Sequence, residues 1–505
     1  MLMNHARLKL GFFLLALLPI GLSIYATRTT GLGISPDSAN YLCAAKTINL
    51  GLGFVSFTGK PMTSWPPLFP SILAFFQWLG VSPLDAARVL NALVWSSTAV
   101  LAGVWVASVA RSLPLAVLVN LAIALSPNLL SYSTMLWSES LFILLIMSAL
   151  FMLVRFLTVP SSVNLVLASV LAGAATQQRY AGGIAVVVGV FCILFLRRDR
   201  GFFPRVASAF VYGFIASVPT ILWLARNYYV SGTLTGERFP PAFGLGEILR
   251  ESLSTVGIMF LPWRLLGYAA VAGTLVLLAV LATPLLFYVR YRDNRTLLNS
   301  SIVLALFVLA YTIFIVAIAT LTNTCCVDRF LGVTFPLLAT QGGFLLHALM
   351  GRDSGFLGKS FLVVCFVWLA IPATRSVTMA AQYSVSRGDH GMGSFPILKE
   401  FAFPEDALVF SNRPEVVWIR TSLRYVQYTP SEGRYASSIR SSTMPAFRED
   451  IYKGGDKRNY VVWFHENPNT YLHSLEDIRA EVFLDLVEDR DGVAIFQISG
   501  LVTPP

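Results

Sequence analysis

Apolar runs long enough to cross a lipid bilayer recur along the chain as far as residue 379, separated by short polar segments. Window hydropathy predicts about eleven membrane-spanning helices, near residues 9–26, 88–110, 113–131, 139–158, 162–178, 181–196, 206–225, 267–289, 297–320, 329–349 and 360–379. We therefore predict a mainly α, polytopic membrane helix bundle over residues 1–379, with two long loops at 27–87 and 226–266.

The remaining residues, 380–505, contain no run long enough to span a membrane. Short runs rich in β-branched and aromatic residues predict strands near 407–411, 425–429, 460–465 and 492–498. Helical patterns occupy 414–421 and 474–480, and Asp491 followed by Gly492 is typical of a tight turn. This segment is predicted to be a separate, small α/β domain.

Composition supports the division into a membrane body and a water-soluble tail. Of the 505 residues, 55% are hydrophobic and only 13% are charged, whereas an ordinary soluble protein has about 25% charged residues. The acidic residues are unevenly spread, since 17 of the 27 Asp and Glu lie after residue 380. An apolar body of this length indicates lipid as its solvent.

The distribution of basic residues predicts the orientation. The formal net charge is +10, and the dense Lys and Arg clusters lie in short loops at Arg111, Arg155, 197–205, 290–295 and 352–359. The positive-inside rule makes these loops cytoplasmic, which places both long loops and the C-terminal domain outside the cytoplasmic (inner) membrane. Because the basic excess is confined to such loops, nucleic acid is not a predicted partner.

The cysteines indicate no metal site. They show neither C-x-x-C spacing nor nearby histidines, and we predict free thiols at Cys43, Cys192, Cys325, Cys326 and Cys365. A disulfide between the adjacent Cys325 and Cys326 would be strained.

Asp37 opens the first outer loop, shortly after the first predicted span. A catalytic base needs a carboxylate near the lipid headgroups that a hydrophilic acceptor can reach, and Asp37 has such a position. The alternative is structural, because Pro36 and Asp37 also form a helix start with Asp37 as N-cap or first-turn acid.

Glu139 lies at the outer start of the fourth predicted span, between Ser138 and Ser140. An ionisable group at membrane depth is costly and is a functional hypothesis by default. The alternative is a first-turn acid whose oxygens the flanking serines satisfy.

Lys60 precedes a proline-rich turn, Trp65-Pro66-Pro67-Leu68, and a short apolar helix over residues 68–79 that is too short to span. A lysine near the outer headgroups suits a phosphate. A lysine that snorkels from an apolar surface is the alternative.

Arg179, Arg226 and Arg329 also fall on the outer side, against the positive-inside bias. A shared anionic ligand would account for them. For Arg329, a local ion pair with the adjacent Asp328 is the alternative.

Taken together, the pattern resembles the GT-C glycosyltransferases. Within them it looks like the bacterial relatives of protein O-mannosyltransferases and of the aminoarabinose transferase that modifies lipid A. The resemblance spans residues 9–380 and rests on an ordered set of elements: Asp37 with Tyr41, Lys60…Trp65-Pro66-Pro67-Leu68, Ser138-Glu139-Ser140-Leu141, Arg179, Trp223…Arg226-Asn227-Tyr228 and Asp328-Arg329-Phe330-Leu331.

This resemblance implies an integral membrane enzyme that uses a polyprenyl-phosphate sugar donor at the outer face and usually inverts the anomeric centre. By position, Asp37 resembles the catalytic base and Glu139 the second acid near the site. Lys60 and Arg329 resemble groups that hold the donor phosphate. The expected substrate-binding residues are Lys60, Tyr41, Arg179, Arg226 and Arg329.

Two positions depart from the pattern of many relatives, which carry a further acid beside the base or beside the lysine. Here Ser38 follows Asp37, and Gly59 precedes Lys60. The resemblance therefore implies no required metal, and no cofactor is expected.

We predict a glycosyltransferase whose partners are the polyprenyl-phosphate sugar donor, membrane lipid and an acceptor that is a lipid, a glycan or a protein. A transporter or flippase of lipid-linked sugars is the main alternative. It should show related halves and charges near the mid-plane of interrupted helices, and the sequence shows no such halves. A non-catalytic protein that only binds lipid carriers is a third possibility, and it would tolerate loss of Asp37.

Overall fold

The structure is a computed structural model. It describes residues 5–197, 201–236, 238, 243–261, 263–291, 294–322, 327–350, 356–386, 395–431, 443–454, 458–466 and 471–502. Cys325 and Cys326 lie outside the described residues.

Helices dominate as far as Ser386. In chain order they are α1 (His5–Ala26), α2 (Pro36–Asn49), α3 (Leu68–Trp78), α4 (Pro83–Ala110), α5 (Leu113–Ala124), α6 (Pro127–Ser133), α7 (Glu139–Thr158), α8 (Ser162–Gln178), α9 (Gly183–Leu196), α10 (Phe202–Ser231), α11 (Leu245–Ile258), α12 (Ala269–Arg290), α13 (Arg295–Leu321), α14 (Val327–Leu331), α15 (Phe335–Met350), α16 (Phe356–Trp368) and α17 (Ala370–Ser386). Each predicted span coincides with one of these helices or with a consecutive pair.

Seven of the described helical segments are long and apolar enough to cross a membrane, or eight if the bent pair α5 and α6 forms one span. Shorter apolar helices include Gly11–Ala26, Leu68–Trp78 and Tyr180–Leu196. A multi-pass helical membrane protein is therefore confirmed, while the number of about eleven spans stays a prediction.

The third predicted span is not a single straight helix. The chain bends by 51° between α5 and α6, where Ser126 caps α6 by accepting a hydrogen bond from the Leu129 amide at 3.4 Å. Pro127 follows at the first helical position, where it cannot donate to the preceding turn. Hydropathy averaged over a window does not register a local bend, so the pattern predicts a single span over 113–131.

The chain forms two compact units. Unit 1 comprises Met1–Leu32, Leu84–Leu224 and Pro240–Gly388, and unit 2 comprises Gly33–Pro83, Ala225–Phe239 and Asp389–Pro505. The predicted domains divide the chain once, between residues 379 and 380. The units instead group the first long loop and the end of α10 with the C-terminal segment.

Unit 1 is the helical body. Its hydrophobic core includes the fully buried side chains of Trp95, Trp105 and Phe344. Helices α11 and α12 meet backbone to backbone, because a Cβ on Gly257 would lie 1.9 Å from the carbonyl oxygen of Ala269. The predicted outer loop 226–266 therefore contains a packed helix.

Unit 2 contains a five-stranded sheet in the order β2-β1-β3-β5-β4, which confirms the small C-terminal α/β region. Strand β1 is parallel to both of its neighbours, whereas β5 is antiparallel to β3 and β4. The strands are β1 (Leu408–Ser411), β2 (Gln427–Tyr428), β3 (Asn459–Phe464), β4 (Val482–Arg490) and β5 (Val493–Leu501). Helices α18 (Pro396–Glu400), α19 (Pro414–Arg420), α20 (Met444–Gly454) and α21 (Leu475–Glu481) complete it.

Most elements of this region were predicted, including the turn between β4 and β5. Asp491 and Gly492 both have positive φ, 57° and 76°, as a two-residue hairpin turn requires. Strand β4 was not predicted. It lies at the edge of the sheet and mixes apolar residues with charged ones such as Asp485 and Glu488.

The first long loop belongs to unit 2 because its side chains share a core with the sheet. Cys43 from α2, Phe57 and Tyr428 from β2 are all buried in one cluster. The amide of Val426 also donates to the Phe57 carbonyl at 3.0 Å.

Candidate active site

Glu139 occupies the first turn of α7 in unit 1, and its side chain is completely buried. Two guanidinium groups converge on its Oε1. Nη1 of Arg179 lies 2.7 Å away, and Nε of Arg329 forms the second ion pair. The structure therefore brings together three of the predicted site residues, which are far apart in sequence.

The two arginines are less enclosed than the acid between them. Their side chains are 17% and 14% exposed, against 0% for Glu139. The carboxylate therefore lies behind a surface to which the guanidinium groups contribute. A general base must reach the proton it removes, and this enclosed carboxylate is poorly placed to do so.

Neighbouring groups fix the two guanidinium planes. Arg179 donates from Nη1 to the Ser138 hydroxyl at 3.1 Å. The guanidinium carbon of Arg329 lies 3.9 Å from the centroid of the Trp137 indole ring, and that of Arg179 lies 5.0 Å from the Phe330 ring. Arginine stacks on aromatic faces while keeping its in-plane donors available for oxygen atoms.

The short helix α14 that carries Arg329 is held by two buried tyrosines. Tyr132 donates its hydroxyl to the Arg329 carbonyl at 2.8 Å, and Tyr311 donates to the Phe330 carbonyl at 3.2 Å. Gly332 allows the first contact, because a Cβ there would lie 1.9 Å from the Tyr132 hydroxyl oxygen. These tyrosines were not among the predicted site residues, and no local sequence pattern marks them.

Arg329 and Glu139 are partners of each other in the structure. Arg329 forms an ion pair with Glu139, whereas the neighbouring Asp328 is exposed. Oε1 of Glu139 is paired with the two arginines, and the Ser138 hydroxyl accepts a hydrogen bond from Arg179. The structure thus pairs Glu139 with arginines that lie 40 and 190 positions further along the chain.

Asp37 lies in unit 2, in the first turn of α2, with a partly buried side chain. The N-cap of this helix is Ser35, and the Ser35 amide donates to the Ser38 hydroxyl at 3.0 Å to close a capping box. Pro36 takes the first helical position. Asp37 is thus a first-turn acid, and the cap is provided by other residues.

Tyr41 lies one turn further along α2, and its side chain is 2% exposed. Its ring packs edge-on against Phe69, with ring centroids 5.1 Å apart, and against Trp65 at 6.3 Å. These contacts join α2 to the proline-rich turn and to α3, whose predicted position is confirmed.

Lys60 is carried by a small hairpin, residues 54–62, which we call the Lys60 hairpin. The amide of Ser56 donates to the Lys60 carbonyl, and that of Gly59 to the Ser56 carbonyl, both at 2.9 Å. These bonds enclose a three-residue loop whose last residue, Gly59, has φ +81°, as such loops prefer. The glycine that precedes Lys60 is therefore required by the turn.

Arg226 lies near the end of α10 and is directed to the Lys60 hairpin. Its Nη1 donates to the Met62 carbonyl at 2.8 Å and its Nη2 to the Phe54 carbonyl at 3.2 Å. The adjacent Asn227 is fully buried and donates to the carbonyls of Thr63 at 3.3 Å and Leu234 at 2.9 Å. Unlike Arg179 and Arg329, Arg226 is thus bound to main-chain oxygens.

Helix α20 contributes an acid to the surroundings of Lys60. Burial raises the pKa of the Asp450 carboxyl above its ordinary value, and the positive charge of Lys60 lowers it in part. Among the described residues, no group of three or more His, Cys, Asp or Glu side chains is close enough together to hold a metal ion.

Solved structures with the same fold were found by comparison of the coordinates. ArnT from Cupriavidus metallidurans in the apo state matches with a TM-score of 0.60 at 13% identity over 98% of both chains. The same protein bound to undecaprenyl phosphate matches with a TM-score of 0.59 at 12% identity over 98% of both chains. Arabinofuranosyltransferase AftD from Mycobacteria matches with a TM-score of 0.56 at 16% identity, over 98% of this chain and 40% of that one.

An oligosaccharyltransferase from Archaeoglobus fulgidus matches with a TM-score of 0.51 at 13% identity, over 90% of this chain and 69% of that one. No protein-family model and no curated protein sequence matches the chain. All of these structural relatives are GT-C glycosyltransferases, so the chain has the fold of the GT-C membrane glycosyltransferases.

Proposed function

We propose that this protein is a membrane glycosyltransferase that transfers a sugar from a polyprenyl-phosphate donor to an acceptor. The observation that carries the proposal is the cluster of Glu139, Arg179 and Arg329. A buried carboxylate orients two partly exposed guanidinium groups, and arginine is the side chain best suited to bind phosphate oxygens in a fixed geometry. The fold, and the undecaprenyl phosphate bound by the ArnT structure, support this choice of ligand.

Within this proposal Glu139 is a positioning residue. It holds Arg179 and Arg329 at the phosphate, where their charges stabilise the negative charge that develops on the leaving group. Polyprenyl phosphate is a weak base, so electrostatic stabilisation matters more than protonation. Lys60 is proposed as a further phosphate ligand, on the family resemblance and on its position at the end of a hydrogen-bonded hairpin loop.

Asp37 is proposed as the general base. It accepts the proton of the acceptor hydroxyl while the acceptor oxygen attacks the anomeric carbon. The new bond forms as the bond between that carbon and the phosphate oxygen breaks, so polyprenyl phosphate leaves and the configuration inverts. Its support is the position in the first turn of α2, where capping is already provided by Ser35.

Measurement of donor binding tests whether Arg179 and Arg329 hold the phosphate of the donor. Arg179→Met and Arg329→Met should each weaken binding of a short-chain polyprenyl phosphate to the purified protein, because loss of one charged contact typically costs on the order of 1.5–3 kcal/mol. That is roughly a ten- to hundredfold loss of affinity. Arg250→Met, which removes an exposed arginine on α11 of the same unit, is the matched control. Unchanged affinity in both site variants would exclude the phosphate site.

Turnover tests the catalytic assignment. Asp37→Asn should reduce sugar release from a radiolabelled donor by roughly 10²–10⁴ while donor affinity is nearly kept. Folded protein is checked by size-exclusion chromatography. A folded Asp37→Asn variant with more than about a third of normal turnover contradicts the base assignment, and donor binding without any sugar release by the unaltered protein favours a carrier-binding or transport role.

We further propose that the protein lies in the cytoplasmic membrane with its C-terminal region outside the cytoplasm, on the basis of the positive-inside distribution of Lys and Arg. Alkaline phosphatase fused to the C-terminus should then be active. An inactive phosphatase fusion, together with a fluorescent green fluorescent protein fused at the same position, would place the C-terminal region in the cytoplasm and contradict the proposed orientation.

A further inference from the structure

Few main-chain hydrogen bonds join the two arms of the Lys60 hairpin to each other. Its arms are joined by the bond from Ser56 to Lys60 and by the Met62 amide, which donates to the Phe54 carbonyl at 2.9 Å. An isolated two-stranded hairpin is marginally stable in water. The conformation of Lys60 therefore depends on what holds the hairpin from outside.

One support comes from the end of α10. The guanidinium of Arg226 reaches the carbonyls of Phe54 and Met62, one on each arm of the hairpin. The planar fork of arginine can span two such oxygens, which a lysine ammonium does less well. The side-chain oxygen of Asn227 accepts from Arg226 at 3.1 Å, so the fork is itself held in place.

The opposite support comes from β2, which lies at the edge of the C-terminal sheet. The Val426 amide donates to the Phe57 carbonyl at 3.0 Å, and the side-chain amide of Gln427 donates to the Thr58 carbonyl. The Tyr425 ring covers Gly59, since a Cβ on that glycine would lie 3.2 Å from the ring. Both supports act on main-chain atoms of the hairpin.

We propose that the end of α10 and strand β2 form a clamp that holds the Lys60 hairpin in its phosphate-binding conformation. In this arrangement Arg226, Asn227 and Gln427 are positioning residues for the donor. The inference rests on the proposed function of Lys60. It assigns to the C-terminal region a part in donor binding, and it gives Arg226 a role other than the direct substrate contact that the family resemblance implies.

Hydrogen exchange and donor affinity test the clamp in the full chain. Gln427→Met keeps the length of the side chain but removes its donor. We expect faster exchange of the Ser56 and Met62 amides without any donor present, and an affinity for short-chain polyprenyl phosphate that is roughly two- to tenfold lower. Arg226→Met should have the larger effect on both, because it removes contacts to both arms.

The kinetic signature separates positioning from catalysis. If Gln427 acts only through the hairpin, Gln427→Met should raise KM for the donor while kcat at saturating donor changes little. Gln497→Met on β5 is the matched control for a partly buried glutamine in the same sheet, and Arg458→Met is the control for an exposed arginine of unit 2. Neither control should alter exchange in the hairpin.

Failure of the clamp can be distinguished from failure of the proposed function. Faster hairpin exchange with unchanged donor affinity would overturn the clamp as a donor-binding device, as would unchanged exchange in both Gln427→Met and Arg226→Met. If Lys60→Ala leaves affinity unchanged, the inference fails, while the Arg179→Met and Arg329→Met results still decide the proposed function. If Arg226→Met does not fold, the results for Gln427→Met alone decide whether the clamp supports donor binding.

Discussion

The Glu139 cluster of unit 1 contains Arg179 and Arg329, and the Lys60 hairpin of unit 2 is contacted by Arg226. The family resemblance assigns all three arginines to the substrate, yet the structure holds them by different means. Arg179 and Arg329 share a buried carboxylate in an apolar helical body. Arg226 binds main-chain carbonyls of a loop. A charge withdrawn from water needs an opposite charge or hydrogen-bonding dipoles to offset the lost hydration, and the two regions use one of these means each.

The difference predicts unequal consequences when the partner is removed. In unit 1 the partner is one side chain that serves two cations, so a single substitution affects both. In unit 2 the partners of Arg226 include two backbone carbonyls, which no substitution can delete, and the supports of the hairpin are distributed over α10 and β2. A single substitution should therefore disrupt the Glu139 cluster completely, whereas the Lys60 hairpin should lose its stability in smaller steps.

The largest effect is expected for Glu139→Gln, which keeps the size of the side chain but removes the charge between Arg179 and Arg329. Removing one partner of a buried ion pair typically costs about 3–5 kcal/mol. The free energy of unfolding in detergent should fall by about that amount, and by clearly more than in Arg226→Met, for which the loss of charged hydrogen bonds is about 1.5–3 kcal/mol.

A double-mutant cycle supplies the control. Arg179→Met should cost less in the Glu139→Gln background than in the unaltered protein, with a coupling of about 0.5–3 kcal/mol. Additive losses, or an Arg226→Met variant as unstable as Glu139→Gln, would remove the distinction between the two clusters.

Several parts of this arrangement were predictable from the sequence because they are encoded locally. The strand and helix patterns of the C-terminal segment, the turn at Asp491 and the short helix α3 each follow from neighbouring residues. Glu139 was recognised for the same reason, since it is an acid at the start of an apolar run.

The partners of these residues were not predictable, because they come from distant parts of the chain. Nothing in the sequence near Glu139 indicates Arg179 or Arg329 as its partners. Likewise, a backbone hydrogen bond joins Phe57 in the first long loop to Val426, the residue before β2. A backbone contact of this kind leaves no distinctive side-chain pattern. Edge strand β4 was missed because its charged residues resemble a loop.

An intermediate effect is expected at Gly59, and Gly80 provides a matched comparison. Both glycines have φ +81°, but a Cβ on Gly59 meets the Tyr425 ring at 3.2 Å whereas one on Gly80 meets nothing within 4 Å. Each alanine substitution should cost about 1–2 kcal/mol for the left-handed backbone. Gly59→Ala should lose more stability than Gly80→Ala, and it alone should weaken donor binding. Equal losses and equal affinities would show that the Tyr425 contact does not support the hairpin.

The smallest effect concerns Cys43, which can report how often the hairpin side of unit 2 opens. Its side chain is 1% exposed and packs in the cluster with Phe57 and Tyr428. Burial raises the pKa of the Cys43 thiol to about 12, although Lys46 lowers it in part. At pH 8 only about one folded molecule in 10⁴ would carry the reactive thiolate, so alkylation in native membranes should be very slow and should rise about tenfold per pH unit.

Opening of the cluster would expose a thiol with an ordinary pKa of about 8.5 and would speed alkylation. We expect Gln427→Met and Gly59→Ala to increase the alkylation rate of the Cys43 peptide, measured by mass spectrometry, while Gly80→Ala leaves it unchanged. Because the supports of the hairpin are distributed, each single variant should raise the rate only a few-fold, on the scale of one lost hydrogen bond. Full reactivity of Cys43 in either variant would mean that one contact holds the whole cluster, and the contrast with the all-or-none Glu139 cluster would then be lost.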